Sequence, residues 1–541
     1  MHARHPLVDE AVLSAFAAGC VAALLVWLGP PGTDLAAHVY QRALYLEHGF
    51  TLWNNYWYAG RYSFITYSLI YYPLAAWVGI KLLAVATVML SASAFAVVVW
   101  REWGPATRWS SRTFAVVWAG TVITAAFPFA LGFALALLSI WALKAGQRWV
   151  FAGLALLSLA ASPLAFLLLV VVLVGIALDR RVAFRRWSAP IALICLAALG
   201  ELLLWRLFPT GGRYPFHFAD VVAGCAFCLL GLALTWRVEQ ARVLRFFFGV
   251  YLVAVLAAYV VPSGLGSNVE RLRFAAVPLA VLVLELRGWR PLVATTAALA
   301  LALSWNVKPL AAGYVKNRED VTAAASTWPA AINYLERHAV PQFRVEAVDT
   351  VGHWPAFYLA NANIPLARGW FRQDDFPENA VLYSALGPRA YLRWLYSLGV
   401  GYVVLSTAPP DYSARAEAKL LRSGRSGLLP VFHTSTLTIY RVPHARPIFT
   451  GPGAPAIVRL SDAKMTVAVR RAGTYRIAVH WSPYWRVTRG CLTRGKDDML
   501  RLATNGAGLV RLSFVVSAAG AFDALAGDTR ASTSKNCLAA G

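Results

Sequence analysis

The hydrophobic pattern changes character once along this chain. From Met1 to about Lys308, apolar runs near ~20 residues recur, each long enough to cross a hydrocarbon core of about 30 Å. The runs Ala11–Leu28, Lys81–Trp100, Phe129–Ala145, Ser188–Leu207, Ala219–Trp236, Phe246–Pro262 and Pro291–Lys308 predict membrane-spanning helices. Shorter runs near 113–127, 149–162, 163–178 and 273–287 bring the expected number to about eleven. Pro128 and Pro163 fall where paired helices would turn, or mark kinks of the kind membrane helices tolerate.

Beyond Lys308 the pattern belongs to a soluble protein. Residues 309–444 alternate helical text ("STWPAAINYLERH", "PRAYLRWLYSLGV") with short apolar strands ("FRVEAVD", "GYVVLS", "LTIYRV"), which predicts a small α/β layer. Residues 445–541 carry alternating strands ("MTVAVR", "TYRIAVHW", "LVRLSFVV") between Gly-rich turns, the pattern of a β-sandwich. The expected fold is therefore a polytopic α-helical membrane domain, 1–308, followed by an α/β unit and a β-sandwich.

Composition agrees. Only 14% of residues are charged and 59% are hydrophobic, against about 25% charged in an ordinary soluble domain. With the N-terminus cytoplasmic, fifteen Arg and Lys residues fall in inside segments and five in the opposite loops. That positive-inside bias places the opening loop outside, and an odd number of spans puts the tail after Lys308 outside the cell membrane too. Much of the +24 net charge is then topological, sitting at lipid headgroups, and no basic helix or aromatic platform suggests nucleic acid. The first span has no convincing cleavage site and reads as a retained helix. Cys225 and Cys228 form a CxxC without a second ligand pair, which favours small apolar packing over a metal site. Cys491 and Cys537 lie in the exported tail, where a disulfide between them can persist.

Chemistry gathers next to the first span. The loop at 30–66 contains "GTDLAAHVYQRALYLEHGFTLWNNYWYAGRY", far longer than an ordinary connection of about 4–6 residues and too aromatic for a disordered linker. Asp34, His38 and Arg42 repeat at helical spacing, one face if the segment is a helix. Thr33 could cap that helix, with Asp34 in its first turn, a favoured place for an acid whatever its role. The following "WNNYWYAGRY" mixes Asn54, Asn55, Gly60 and Arg61 among its aromatics, which suggests the lining of a polar cavity. A second polar stretch, "SGLGSNVERLRF", puts Glu270, Arg271 and Arg273 at the same membrane surface. Arginines there either snorkel to the headgroups or clamp a phosphate in forked geometry. Intramembrane Glu201, with Arg206 as a partner, is a separate oddity.

These features carry a resemblance. A cytoplasmic N-terminus, an acid a few residues beyond the first span, a long structured first external loop and an exported tail resemble the GT-C superfamily of membrane glycosyltransferases. The layout also resembles YfhO-like bacterial proteins, whose exported β-rich domain has a strand and turn similar to "YRIAVHWSPYWRVTRG". The resemblance implies a polyprenyl-phosphate sugar donor, an envelope glycan, lipid or protein acceptor, and chemistry on the external face of the cell membrane. It implies Asp34 as catalytic base, with His38, Arg42, Arg61, Glu270, Arg271 and Arg273 binding substrate. There is no DxD motif, only the single Asp34 here and a "QDD" in the tail, so no divalent cation is expected. Trp481, Tyr484 and Trp485 could stack on sugar rings or fill the sandwich core. Two other classes fit the pattern less well: a transporter, which would place its site at the midplane between inverted repeats, and an envelope scaffold without activity.

Overall fold

The computed structural model describes residues 6–65, 67–180, 184–209 and 212–526. The chain divides into two compact units, one comprising Met1–Leu35, Tyr67–Leu202 and Gly212–Asn317, the other Ala36–Thr66, Leu203–Gly211 and Arg318–Gly541.

The first unit is helical. In chain order the helices are α1 (Pro6–Leu28), α2 (Leu35–His48, which belongs to the second unit beyond its first residue), α3 (Tyr71–Val78), α4 (Ile80–Trp103), α5 (Arg108–Ala119), α6 (Thr121–Thr124) and α7 (Phe127–Lys144). Then follow α8 (Arg148–Ala161), α9 (Pro163–Arg180), α10 (Phe184–Leu207), α11 (Phe218–Thr235), α12 (Arg242–Val260), α13 (Ala276–Leu286) and α14 (Leu292–Arg318). Every apolar run marked in the sequence is helical. Six segments among the described residues are long and apolar enough to cross a membrane. The expected eleven crossings are not reached by that measure. Stretches such as α5, α8 and α13 have 12, 14 and 11 residues, below the ~20 needed to span. Pro128 and Pro163 stand in the first turns of α7 and α9, where a missing N–H costs nothing. They mark turns between helices.

Small residues let the helices approach. Ala18, Ala22, Ala92 and Ala115 are fully buried, and a Cβ on Gly132 would lie 2.8 Å from the Ala165 Cβ. In membranes such close backbone packing substitutes for the missing hydrophobic drive between helices. Phe95 stacks on Phe114 at 4.2 Å, and Trp118 lies 4.3 Å from Phe133, filling the space that the alanines leave.

The second unit contains a hairpin, β1 (Trp53–Asn54) with β2 (Arg61–Tyr62), then an α/β layer and a sandwich. The layer has β3 (Arg344–Ala347), β4 (Val400–Ser406), β5 (Leu429–His433) and β6 (Leu437–Arg441) in the order β3-β4-β6-β5, with β3 and β4 parallel. Its helices are α15 (Pro329–His338), α16 (Trp354–Asn361), α17 (Pro388–Leu398) and α18 (Arg415–Arg422). The sandwich strands are β7 (Phe449–Thr450), β8 (Ala456–Ser461), β9 (Lys464–Val469), β10 (Gly473–His480), β11 (Trp485–Val487), β12 (Cys491–Arg494), β13 (Met499–Thr504) and β14 (Gly508–Phe514), with α19 (Ala518–Ala526) following. They form two four-stranded sheets, β12-β13-β10-β7 and β11-β14-β9-β8. Cys491 lies in β12; Cys537 is outside the described residues.

The aromatic loop corrects the cavity-lining expectation. Trp53, Asn54, Asn55 and Trp57 are all buried at 1% exposure or less. They are core of the second unit. Trp53 stacks on Phe514 at 5.0 Å and meets Trp485 edge-on at 5.7 Å. The loop also completes backbone pairing for distant strands. Asn55 donates its N–H to the Asp462 carbonyl, Leu366 to that of Tyr56, and His480 to that of Ala59. Gly60 permits this, because its φ is +100° and a Cβ would sit 2.6 Å from the Trp53 ring. Apolar bodies with polar tips are what such a buried junction needs, since each N–H or hydroxyl must find a partner. The Trp57 indole donates to the Ala356 carbonyl and the Tyr58 hydroxyl to that of Gly369.

Candidate active site

Within the first unit, one cavity of about 330 Å³ is lined by polar and charged side chains. Its walls come from the turn after α1 (Thr33, Asp34), the α6–α7 junction (Thr124, Ala126), Tyr214 and Asp220 at the start of α11, and the 3-10 segment Gly266–Ala275, which supplies Ser267, Asn268, Glu270, Arg271, Arg273 and Phe274. Asp34, Glu270, Arg271 and Arg273, separated by more than 230 positions, therefore face one space.

Backbone geometry places Asp34. Thr33 and Asp34 donate their N–H groups to the Ile123 and Thr124 carbonyls, each at 3.0 Å. Asn317 of α14 donates to the Thr33 hydroxyl at 3.1 Å, so that hydroxyl is held by α14 rather than capping the next helix. The approach requires Gly32: a Cβ there would lie 2.4 Å from the Val122 carbonyl oxygen. Helix α2 starts at Leu35, so Asp34 stands just before its first turn.

The arginines are held as firmly. Arg271 donates from Nε and Nη2 to the Asn268 side-chain oxygen at 3.2 and 3.1 Å, with its guanidinium carbon 5.0 Å from the Phe129 ring centre. Arg273 donates to Glu270 Oε2 at 2.9 Å. Asn306 of α14 pins the segment's exit, donating to the Arg273 carbonyl at 2.8 Å while accepting from the Val277 N–H at 2.9 Å. Gly266, at φ +44°, passes so close to Tyr214 that a Cβ would fall 2.3 Å from its carbonyl oxygen.

Burial pushes the Glu270 carboxyl up to about 7, against the opposing pull of Arg273 and with Asp220 adding to the rise. The Tyr67 phenol is held above its ordinary value by burial first and by the charge of Asp34 second, with Arg271 opposing. Tyr67 thus lies within the fields of both Asp34 and Arg271. The sequence reading did not single it out, because it is one tyrosine among several in "YSLIYY".

The remaining candidates sit in the second unit. His38 is fully buried, with its ring 5.6 Å from Trp370, and Arg42 is half-buried one turn further along α2. Arg61 is buried, ion-paired to Asp374 at 2.5 Å and lying 3.6 Å from the Phe371 ring centre. Arg206 donates to the Leu525 carbonyl at 3.3 Å rather than to Glu201. Tyr484 and Trp485 are sandwich core, at 0% and 3% exposure, which leaves only half-buried Trp481 of that trio as a surface for a sugar. Among the described residues no group of three or more His, Cys, Asp or Glu side chains could hold a metal ion.

No known family profile and no curated protein matches the chain. Among solved structures it is similar to the arabinofuranosyltransferase AftD from mycobacteria, at 16% identity and a TM-score of 0.47, over 87% of this chain and 42% of that one. A mutant of the same enzyme gives 14% identity and a TM-score of 0.49, over 96% and 60%. The chain spans 42% and 60% of the length of these two structures. Both scores are below 0.5, and the likeness decides nothing about the chemistry.

Proposed function

We propose that this chain is a membrane glycosyltransferase that moves a sugar from a polyprenyl-phosphate donor to an envelope glycan, lipid or protein acceptor at the external face. The observation that carries the reading is the convergence of a carboxylate, Asp34, and two oriented arginines, Arg271 and Arg273, on one cavity. Its volume of about 330 Å³ lies at the lower end of small-molecule sites, about 300–1,000 Å³. The distribution of basic residues supports an external site, since the turn holding Asp34 follows a span whose start is cytoplasmic on that rule.

The chemistry balances. An acceptor hydroxyl attacks the anomeric carbon and passes its proton to Asp34. The bond from that carbon to the donor phosphate oxygen breaks, and the phosphate leaves with the electron pair. Arg271 and Arg273 meet its growing charge with donors fixed before the reaction, so no reorganisation is needed at the barrier. Tyr67, whose phenol feels the charges of both Asp34 and Arg271, can orient either.

The test is transfer from a polyprenyl-phosphate sugar in membrane vesicles. Asp34→Asn, which preserves shape and removes the base, should lower turnover by roughly 100-fold or more while the protein still folds. An Asp34→Asn protein with wild-type turnover, or a wild type that never consumes any such donor, overturns the proposal.

A further inference from the structure

Glu270 has a second role open to it. Its carboxyl is buried at 4% exposure, with Oε2 on Arg273 and Oε1 pressed against α11 at Gly224. A Cβ on Gly224 would lie 2.3 Å from Oε1. The glycine leaves a notch that any other residue would fill. The charged and titratable groups facing the carboxyl or sharing its cavity are Arg273 and Arg271 on its own segment, Asp34 on the turn after α1, Tyr214 before α11, Asp220 and Cys228 on α11, and Tyr251 on α12, whose hydroxyl donates to the Val269 carbonyl at 2.7 Å.

Resting on the glycosyltransferase reading, we propose that Glu270 is a positioning residue that trades Arg273 with the donor phosphate. In the empty site the carboxylate holds Arg273. When the phosphate takes Arg273, Glu270 accepts a proton from solvent and stays, neutral, in the notch beside Gly224. Two anions on one guanidinium in a buried site repel, so one must be neutralised. The carboxyl is the one placed to do so, because burial already brings its titration to about 7. Binding then consumes one proton, and affinity for the phosphate falls as pH rises through that value.

The experiment measures binding of polyprenyl monophosphate to the full chain in neutral-lipid nanodiscs between pH 6 and 8. Measured against Glu270→Gln, for which the ligand's own ionisation is the same, one linked proton gives a fall of about tenfold over that range. Glu270→Gln should abolish the fall, leaving affinity flat or rising as the ligand itself ionises. Gly224→Ala should push the carboxyl into the cavity, where solvent eases its ionisation, and move the fall to lower pH. The protonated-carboxyl infrared band in wild type minus Glu270→Gln spectra should grow when phosphate is added. A tenfold fall that persists in Glu270→Gln, a wild-type curve parallel to that of Glu270→Gln, or an unchanged midpoint in Gly224→Ala overturns the proposal. Inorganic phosphate separates it from the donor assignment. If inorganic phosphate binds with the same pH behaviour and polyprenyl monophosphate does not bind, the donor reading fails and the exchange at Arg273 stands. If neither binds, both fall.

Discussion

Trp53→Ala separates a loop that builds the tail from a loop that lines a substrate cavity. Trp53 is 1% exposed, stacked on Phe514 and edge-on to Trp485 at 5.7 Å and to Tyr62 at 5.2 Å, with its indole N–H on the Asn55 side-chain oxygen at 2.8 Å. Truncating a buried Trp costs about 3–5 kcal/mol through lost transfer energy and the cavity left behind. The abandoned Asn55 oxygen adds roughly 1 kcal/mol. For a unit of this size about 2–4 °C is lost per kcal/mol, so the second unit should melt roughly 8–24 °C earlier. The assay is pulse proteolysis of the full chain in detergent over a temperature series, following cleavage within residues 318–526. Trp53→Phe, which keeps one ring, should lose less than half as much. A shift under about 3 °C for Trp53→Ala, together with weakened donor binding, would refute the assignment of this loop to the core and return it to the substrate site.

Other outcomes follow from contacts described above or adjoining them. Gly32→Ala forces the Asp34 turn off the Val122 carbonyl and should cut transfer by about tenfold or more, since small displacements of a base are costly, with donor binding nearly kept; unchanged turnover would show that the turn does not place Asp34. In the second unit, Arg368 lies between Glu346 and Glu417 at 2.6 and 2.7 Å, all three buried. Arg368→Met strands two buried carboxyls and should cost about 3–5 kcal/mol by the same proteolysis assay. Burial raises the Glu346 and Glu417 carboxyls already, and losing the arginine raises them further. Groups titrating higher folded than unfolded favour the fold at acid pH and lose that contribution as pH rises. The deficit should therefore be smaller at pH 5 than at pH 8, and an equal deficit at both would place the cost elsewhere.

Much of the membrane half is legible in the sequence because its signal is local. Each apolar run became a helix, since lipid-facing and packed positions are both apolar and length alone marks them. What length could not decide was which helices cross, because α8 and α13 are apolar but have only 14 and 11 residues. Asp34 and the "NVERLR" stretch stood out because charges adjoining apolar runs are few. Thr124 and Tyr67 did not, being a threonine inside an apolar run and a tyrosine among tyrosines. The aromatic loop misled for a different reason. Tryptophans beside asparagines describe a wet cavity and a hydrogen-bonded core equally well, and the partners that decide it, such as Ser461 for Asn55, lie 406 residues away.

That separation bears on how the protein is made. The second unit is assembled from three pieces of chain, 36–66, 203–211 and 318–541, so it cannot close as it leaves the ribosome. Asn55 waits 406 residues for Ser461, roughly 20–80 s at about 5–20 residues per second. During that interval Trp53, Trp57 and Tyr62 have no core to enter. A membrane–water interface, where Trp and Tyr rest at little cost, is the natural holding place. Premature termination before β8 leaves them there for good, with every long apolar helix already complete. The last strands of the tail thus decide whether the first loop ever folds, and a nascent chain damaged near its end betrays itself through aromatic residues synthesised near its start.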